Sequence, residues 1–172
     1  MSDFPAPDEI RTEELLITII ARLLEGCRLV SSGASSPIPG GGCLLARHQS
    51  GGAMQVNVLG SRANNLMTNG GVELFDWAAQ GRLDAFFLGG GQIDGQANIN
   101  LVGIGDYPQA KIRWPGSFGS AYLYYLVPRV ILFREEHTRR VFVEKVDFIS
   151  TPGTRDPEVY RTGGPYAMVS TI

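Results

Sequence analysis

The stretch "LGGGQIDGQANIN", Leu88–Asn100, gathers the groups best able to do chemistry in this chain: Gly89, Gly90 and Gly91, then Gln92, Asp94, Asn98 and Asn100. Without a Cβ, glycine lets its backbone N–H come close to a ligand oxygen. That oxygen could belong to a phosphate, or to the oxyanion formed when a carbonyl is attacked. A dinucleotide fingerprint needs glycines at i, i+2 and i+5. Counted from Gly89, the third position is Asp94, whose carboxylate would face the phosphate. Counted from Gly40 it is Leu45, and from Gly103 it is Pro108. No Gly-Lys-Ser/Thr run exists either. The nucleotide cradle is rejected. Two readings stay open: backbone amides that hold an oxyanion, or a glycine turn in which Asp94, Asn98 and Asn100 bond their own backbone.

Other candidate groups are sparse. Glu73 and Asp76 stand three apart on an expected helix and share a face, which solvated helix charges also do. Ser61 has no histidine in a readable motif with it. His137 lies between Glu136 and Thr138 beside Arg139 and Arg140 and reads as a structural or interface residue; His48 reads as an exposed helix-end residue. Two histidines and two cysteines, scattered, give no metal-ligand spacing. Lys111 and Arg113 alternate about Ile112 and could face phosphates or simply solvent.

The elements around these groups follow from periodicity and punctuation. Thr12 reads as an N-cap, with Glu13 and Glu14 in the first turn and apolar Leu15, Leu16, Ile19, Ile20, Leu23 and Leu24 at helical spacing; Gly26 closes the helix. "CRLVSSG" reads as a strand, "ASSPIPGGG" as a loop, and Gly42–His48 as a short helix. "AMQVNVLG" is a strand, Val72–Gln80 a helix, and "LDAFFLGG" a strand running into the glycine loop. "ANINLVG", "AKIRWPG", "RVILFRE" and "VFVEKVDFIS" read as further strands, and "YLYYL" as a packed helix or interface stripe. Strands interleaved with helices indicate a layered α/β fold. Residues 1–11 read as a flexible lead-in and 12–172 as a single domain. At "AMVSTI" a strand has just begun, and it must pair with something.

Composition narrows the classes. The chain has 172 residues, 44% of them hydrophobic, and a net charge of −2, which suits a globular domain and offers no basic stripe for nucleic acid. Its apolar runs are too short to span a bilayer. Lone Cys27 and Cys43 and an acidic, proline-bearing start read as a reduced, cytoplasmic setting.

The order of motifs is more specific than any one of them. Gln92 and Asp94, then Asn98 and Asn100, then the cluster Gly116–Ala121, then His137 with Arg139 and Arg140, then Phe142, Lys145, Asp147, Pro152 and Gly153 follow one another. This series resembles the β subunit of family I CoA-transferases, the glutaconate CoA-transferase type in particular. The resemblance runs from about Leu15 to Gly153 and is densest after Leu88. It implies an open α/β sheet with flanking helices, C-terminally short against the family. It also implies an α-type partner in a heterodimer or heterotetramer, and an acyl-CoA thioester as substrate with no tightly bound cofactor; composition and spacing separately argue against a metal, nucleic acid or a membrane.

In that family a β-subunit glutamate closing a buried strand attacks the thioester and forms a covalent acyl-enzyme. Here the matching strand is "MQVNVLGS", and Leu59 fills the glutamate position, followed by Gly60 and Ser61. Leucine cannot be a nucleophile. The second cluster, "GSFGS", keeps Gly119 but carries Phe118 where the family has a glycine. The resemblance therefore implies Gly90 and Gly119 as catalytic oxyanion donors, and Gly89, Gly91, Gln92, Asp94, Asn98, Asn100 and Ser61 as substrate contacts. The attacking group must come from water or from the partner. Three readings are consistent with this: transfer or hydrolysis of an acyl-CoA thioester, ring-opening hydrolysis of a CoA-linked cyclic substrate, or a non-catalytic scaffold subunit.

Overall fold

A computed structural model describes residues 9–154 and 160–171. The first eight residues of the expected lead-in, and Ile172 at the end of "AMVSTI", lie outside the described residues. Along the chain run α1 (Thr12–Leu23), β1 (Leu29–Ser32), α2 (Pro37–Gln49), β2 (Gln55–Val58), α3 (Gly71–Ala79) and β3 (Ala85–Leu88). Then come the short strands β4 (Gln92–Ile93), β5 (Ile99–Asn100), β6 (Gly103–Ile104) and β7 (Ile112–Arg113), followed by α4 (Ser120–Leu126), β8 (Arg129–Arg134) and β9 (Pro165–Ser170).

Five strands form a parallel sheet in the order β2-β1-β3-β8-β9. Parallel strands need crossovers that place helices on both faces, so their residues are buried on both sides and read as apolar runs. All four residues of β3, "AFFL", are buried. On one face, Val30, Val56, Ala85, Phe87 and Ile131 meet Leu16 and Ile20 of α1, Leu24 at its C-cap, and Cys43 and Ala46 of α2. On the other, Phe86, Leu88, Val130 and Leu132 meet Leu74 and Ala78 of α3, Leu123 and Tyr124 of α4, and Ile93 and Ile99 of the β4–β5 ribbon. The chain leaves β1 toward β2, then crosses back through α3 to β3 on the other side of β1. That reversal makes a topological switch point at the carboxyl ends of β1 and β3, where sheets of this kind bind ligands.

Four local expectations change. Arg11, not Thr12, is the N-cap of α1; its amide donates to Glu14 Oε2 at 2.9 Å. Only one side of α1 is buried: Leu15 and Ile19 are 55% and 37% exposed. "PIPGGG" is not loop but the first turns of α2, which starts at Pro37. Proline suits the first helical turn, where its missing N–H is no loss. The glycines permit close helix contact, since a Cβ on Gly42 would lie 2.3 Å from Ile20 Cγ2. "VFVEKVDFIS" is not a strand; it makes one isolated bridge, Phe142 to Ile93, and Thr151 just after it makes another, to Ile99. Ala167–Ser170 of "AMVSTI" do pair, as part of β9 along β8.

Candidate active site

The glycine run sits where the fold invites a ligand. Gly89 follows β3 directly, at the switch point, and lines a cleft of about 1240 Å³ across the carboxyl end of the sheet. Phe87, Leu88 and Phe133 contribute its apolar surface, with Leu15 and Ile19 of α1 opposite. Ser35 and Ser36 enter from the β1–α2 loop, Arg134, Glu135 and Glu136 from the end of β8, and Ser170 and Thr171 from the end of β9. Thr12 and Pro37 bring the first turns of α1 and α2 to the same cleft. Helix N-termini favour negative charge there.

The cleft is electrostatically mixed. Arg140 donates two hydrogen bonds to Glu136, at 2.9 and 2.8 Å, and Thr138 donates a third, which holds the Glu136 carboxyl below its ordinary range. Arg134 lies 3.9 Å from the same carboxylate, and its Nε is buried without a partner. Ser32 Oγ, at the carboxyl end of β1, is also buried and unpartnered. Buried polar atoms are normally satisfied, so both positions stand out.

Of the residues singled out from the sequence, Gly89 alone lines the cleft. Gly90 and Gly91 turn into the protein. A Cβ on Gly90 would meet Ile99 Cγ2 at 2.6 Å, and one on Gly91 would meet the Trp114 ring at 2.2 Å. The Gly91 amide donates to Asn100 O at 2.9 Å. Among the described residues, the Gly89, Gly90 and Gly119 amides donate to no acceptor in the chain. Gly119 lies elsewhere, in the left-handed region at φ 71° ahead of α4. A Cβ there would sit 2.3 Å from the Phe75 ring of α3.

The polar side chains after the glycines bond the chain itself. Asn100, fully buried, donates to Gln92 Oε1 and Gly103 O, both at 2.7 Å, and accepts from the Val102 and Gly103 amides. Gln92 Oε1 also accepts from Asp147 N at 3.0 Å. Asp94 accepts from the Gln96 and Asn98 amides and from Asn98 Nδ2, and Asn98 Oδ1 accepts from Gly153 N at 2.8 Å. These bonds tie the β4–β5 ribbon to residues 147–153, so each polar type is explained by a backbone group it satisfies.

The second candidate position ends β2. Leu59 is half-buried, packs against the core cluster that holds α3 and α4, and donates its amide to Ser32 O at 3.2 Å. Ser61 Oγ accepts from Asn64 N at 3.1 Å, a local turn bond. Glu73 accepts from the Thr68 amide and hydroxyl, which holds its carboxyl pKa below the ordinary value and fastens the entry to α3. Asp76 is exposed. His137 Nδ1 pairs with Ser170 Oγ at 2.8 Å, and its ring stacks on Phe142. Burial raises both cysteine thiols, Cys43 to about 12, so neither is a ready thiolate. No group of metal-ligating side chains exists among the described residues, and no helix there is long and apolar enough to cross a membrane.

The cleft residues outside the glycine motif escaped sequence reasoning. Five segments distant along the chain supply them, and none forms a motif. The usable signal was positional: polar residues just after a buried strand, as in Ser35–Ser36 and Glu135–Glu136, belong to the ligand edge of such a sheet.

Known proteins share both sequence and fold with this chain. It is 34% identical over 102 residues to the B subunit of 3-oxoadipate CoA-transferase from Pseudomonas knackmussii, covering 56% of this chain and 39% of that protein. It is 37% identical over 70 residues to the B subunit of glutaconate CoA-transferase from Acidaminococcus fermentans, covering 41% and 26%. The chain thus spans less than half the length of these curated relatives. Among solved structures, glutaconate coenzyme A-transferase from Acidaminococcus fermentans superposes with a TM-score of 0.79 at 23% identity, over 94% of this chain and 72% of that one. IpdAB of Rhodococcus jostii gives 0.80 at 24%, over 94% and 71%, and the decarboxylase AibA/AibB gives 0.78 at 21% with the same coverage. The family model for coenzyme A transferase matches residues 11–171, nearly the whole sequence, and the chain belongs to that family.

Proposed function

We propose that this chain is the β-type subunit of a two-subunit enzyme that processes acyl-CoA thioesters together with an α-type subunit. One observation carries the reading: the family match extends through a glycine loop placed at the switch point, beside a cleft large enough for a substrate. Attack on a thioester carbonyl turns its oxygen into an anion, and preorganised backbone N–H groups are the usual means of holding it. The unpartnered amide of Gly89, which lines the cleft, is available for that role; the Gly90 amide is unpartnered too, but that residue is buried and outside the cleft lining. Gly119 serves as a further donor where the partner or substrate reaches the α3–α4 side. Gln92, Asp94, Asn98 and Asn100 then contribute by fixing the loop, and Ser61 by holding the turn after Leu59.

Leu59 supplies no nucleophile, so the attacking group is water or a side chain of the α-type subunit. The neighbouring structures include a transferase and a decarboxylase by name, so the fold leaves the reaction open. Hydrolysis, including ring opening of a cyclic CoA-linked substrate, and acyl transfer through the partner both fit a β-type subunit of this form. The half-buried packing of Leu59 favours a second reading, in which this chain is a scaffold that holds an active partner.

Co-expression with the α-type subunit tests all of these. The purified complex is offered a panel of acyl-CoA thioesters, with and without acetate or succinate, and CoA species are followed by mass spectrometry. Free CoA without acceptor identifies hydrolysis. Exchange only with acceptor identifies transfer. A folded complex that yields neither overturns the enzyme reading and leaves the scaffold.

A further inference from the structure

The carboxyl ends of β8 and β9 bring together a pair of groups that the glycine loop does not use. His137 Nδ1 and Ser170 Oγ lie 2.8 Å apart. Ser170 lines the cleft, and an imidazole nitrogen at that distance is within reach of the serine proton. Both groups are held in place. β9 pairs with β8 as far as Arg134 and Ser170, and Thr171 then donates its amide to Glu135 O at 3.3 Å and its hydroxyl to the same oxygen. The His137 ring stacks on Phe142, with centroids 4.5 Å apart. The Phe142 amide donates to Thr138 O at 2.8 Å, which closes the turn that sets the two rings face to face. Glu136, the adjacent acid, is taken by Arg140 and Thr138.

A third group joins the pair. Arg134 is the register partner of Ser170, and partners on neighbouring parallel strands stand about 5 Å apart on one face of the sheet. Its Nε is buried without a partner, and its Nη2 comes only to 3.9 Å from Glu136. A guanidinium with a donor to spare beside a nucleophile suits the oxyanion that attack creates. Phe87, Leu88 and Phe133, with Leu15 and Ile19 opposite, give the same cleft an apolar wall for an acyl chain.

We propose that Ser170 and His137 are a nucleophile and its base, hydrolysing esters of small apolar acids through an acyl-serine while Arg134 holds the oxyanion. Ser170 Oγ attacks the ester carbonyl as its proton passes to His137 Nδ1. Collapse of the tetrahedral species breaks the bond to the leaving oxygen, which takes that proton, and the acyl group stays on Ser170. Water then attacks the acyl-serine, giving a proton to His137, and Ser170 Oγ recovers it as the acid departs. The activity goes beyond the acyl-CoA reading, whose first attack comes from water or the partner: here it comes from this chain, and neither partner nor coenzyme is needed.

The full chain, without its partner, is given p-nitrophenyl butyrate, and release of p-nitrophenolate is followed. In parallel the wild-type chain is treated with a fluorophosphonate, and the labelled peptide is identified by mass spectrometry. Saturable hydrolysis and a label on Ser170 are expected. Ser170→Ala and His137→Asn should each lower kcat/KM about a hundredfold or more, the least that a positioned base contributes. Arg134→Ala should lower kcat more than it changes KM, as loss of a group that acts on the oxyanion predicts. His48→Asn, at an exposed histidine on α2, should leave the rate unchanged. Circular dichroism keeps misfolding of a variant apart from lost chemistry, and the label reads the serine with no substitution at all. Wild-type protein that shows neither hydrolysis nor label overturns the pair, as does a label on another residue. A Ser170→Ala variant that keeps the rate overturns it too. So does a rate that falls with His48→Asn and not with His137→Asn, which would mark catalysis by a surface imidazole.

Discussion

Two runs of three glycines, Gly40–Gly42 and Gly89–Gly91, have the same composition and opposite uses. The first lies inside α2, where its missing side chains let α1 approach: the space beside Gly42 is filled by Ile20 and that beside Gly41 by Ile17. The second lies outside any helix, at the carboxyl end of β3, where its backbone passes close to Phe133 O, Ile99 and Trp114. One run is held by apolar packing, the other by the amide network of Gln92 and Asn100. A glycine run alone therefore says only that something comes close. Its place after a buried strand, and the end of the sheet it faces, decide whether a ligand can be that something.

The difference is broken most severely at Asn100. Asn100→Ala removes a fully buried side chain, orphans Gly103 O and the Val102 and Gly103 amides, and takes from Gln92 Oε1 one of its two donors. Leaving buried polar groups unsatisfied costs about 1–3 kcal/mol each, partly recovered by relaxation, so a net loss of about 3 kcal/mol is expected. Urea unfolding measures it; a loss under about 1 kcal/mol, within the surface range, would mean that the network does not hold the loop. Gly42→Ala comes next. The new methyl would sit 2.3 Å from Ile20 Cγ2 and 2.7 Å from its Cβ, inside the α1–α2 contact. Overpacking of this kind costs about 1–3 kcal/mol, and the gain in helix propensity of about 1 kcal/mol offsets only part of it. Destabilisation by about 1–2 kcal/mol is expected in the same urea unfolding.

The same contrast explains how much the sequence could disclose. β3 and β8 were legible because strands buried on both faces carry unbroken apolar runs, as "AFFL" and "VILF" do. The start of α2 was not, because proline and glycine read locally as breakers while the close approach of α1 that makes them suitable is tertiary. Residues 141–150 are rich in β-branched and aromatic residues like a strand, yet their backbone bonds to the ribbon stop at Ile93, from Val141 and Val143, and at Ile99, from Ser150, and build no ladder. Loop-fixing by Asp94, Asn98 and Asn100 was one of two readings open in the sequence, since short polar side chains near turns bond nearby backbone. The resemblance had made them substrate contacts, and their bonds to the chain itself favour the first reading. Leu59 was legible as a departure only against a family pattern. The cleft was not, because Ser35, Arg134 and Thr171 meet only once the sheet has assembled.

The smaller tests divide each run internally. Gly91→Ala places a methyl within 2.4 Å of three Trp114 ring atoms, but that ring is half-buried and can swing outward. A cycle with Trp114→Ala should show a coupling of about 1 kcal/mol in stability, because the cost of the methyl depends on the ring being there. Additivity would mean that the Trp114 ring does not hold the second glycine run in place. Gly41→Ala should be the mildest change. Its Cβ would stand 3.0 Å from Ile17 Cδ1, the far end of a half-buried side chain that can rotate, while the backbone is already helical. The helix-propensity gain of about 1 kcal/mol then roughly cancels the crowding, and stability within about 0.5 kcal/mol of the parent is expected. If Gly41→Ala costs as much as Gly42→Ala, the α1–α2 contact is rigid along its length and the first run is needed as a whole. If it costs nothing, only Gly42 marks the crossing point, and its two neighbours owe their identity to something other than packing.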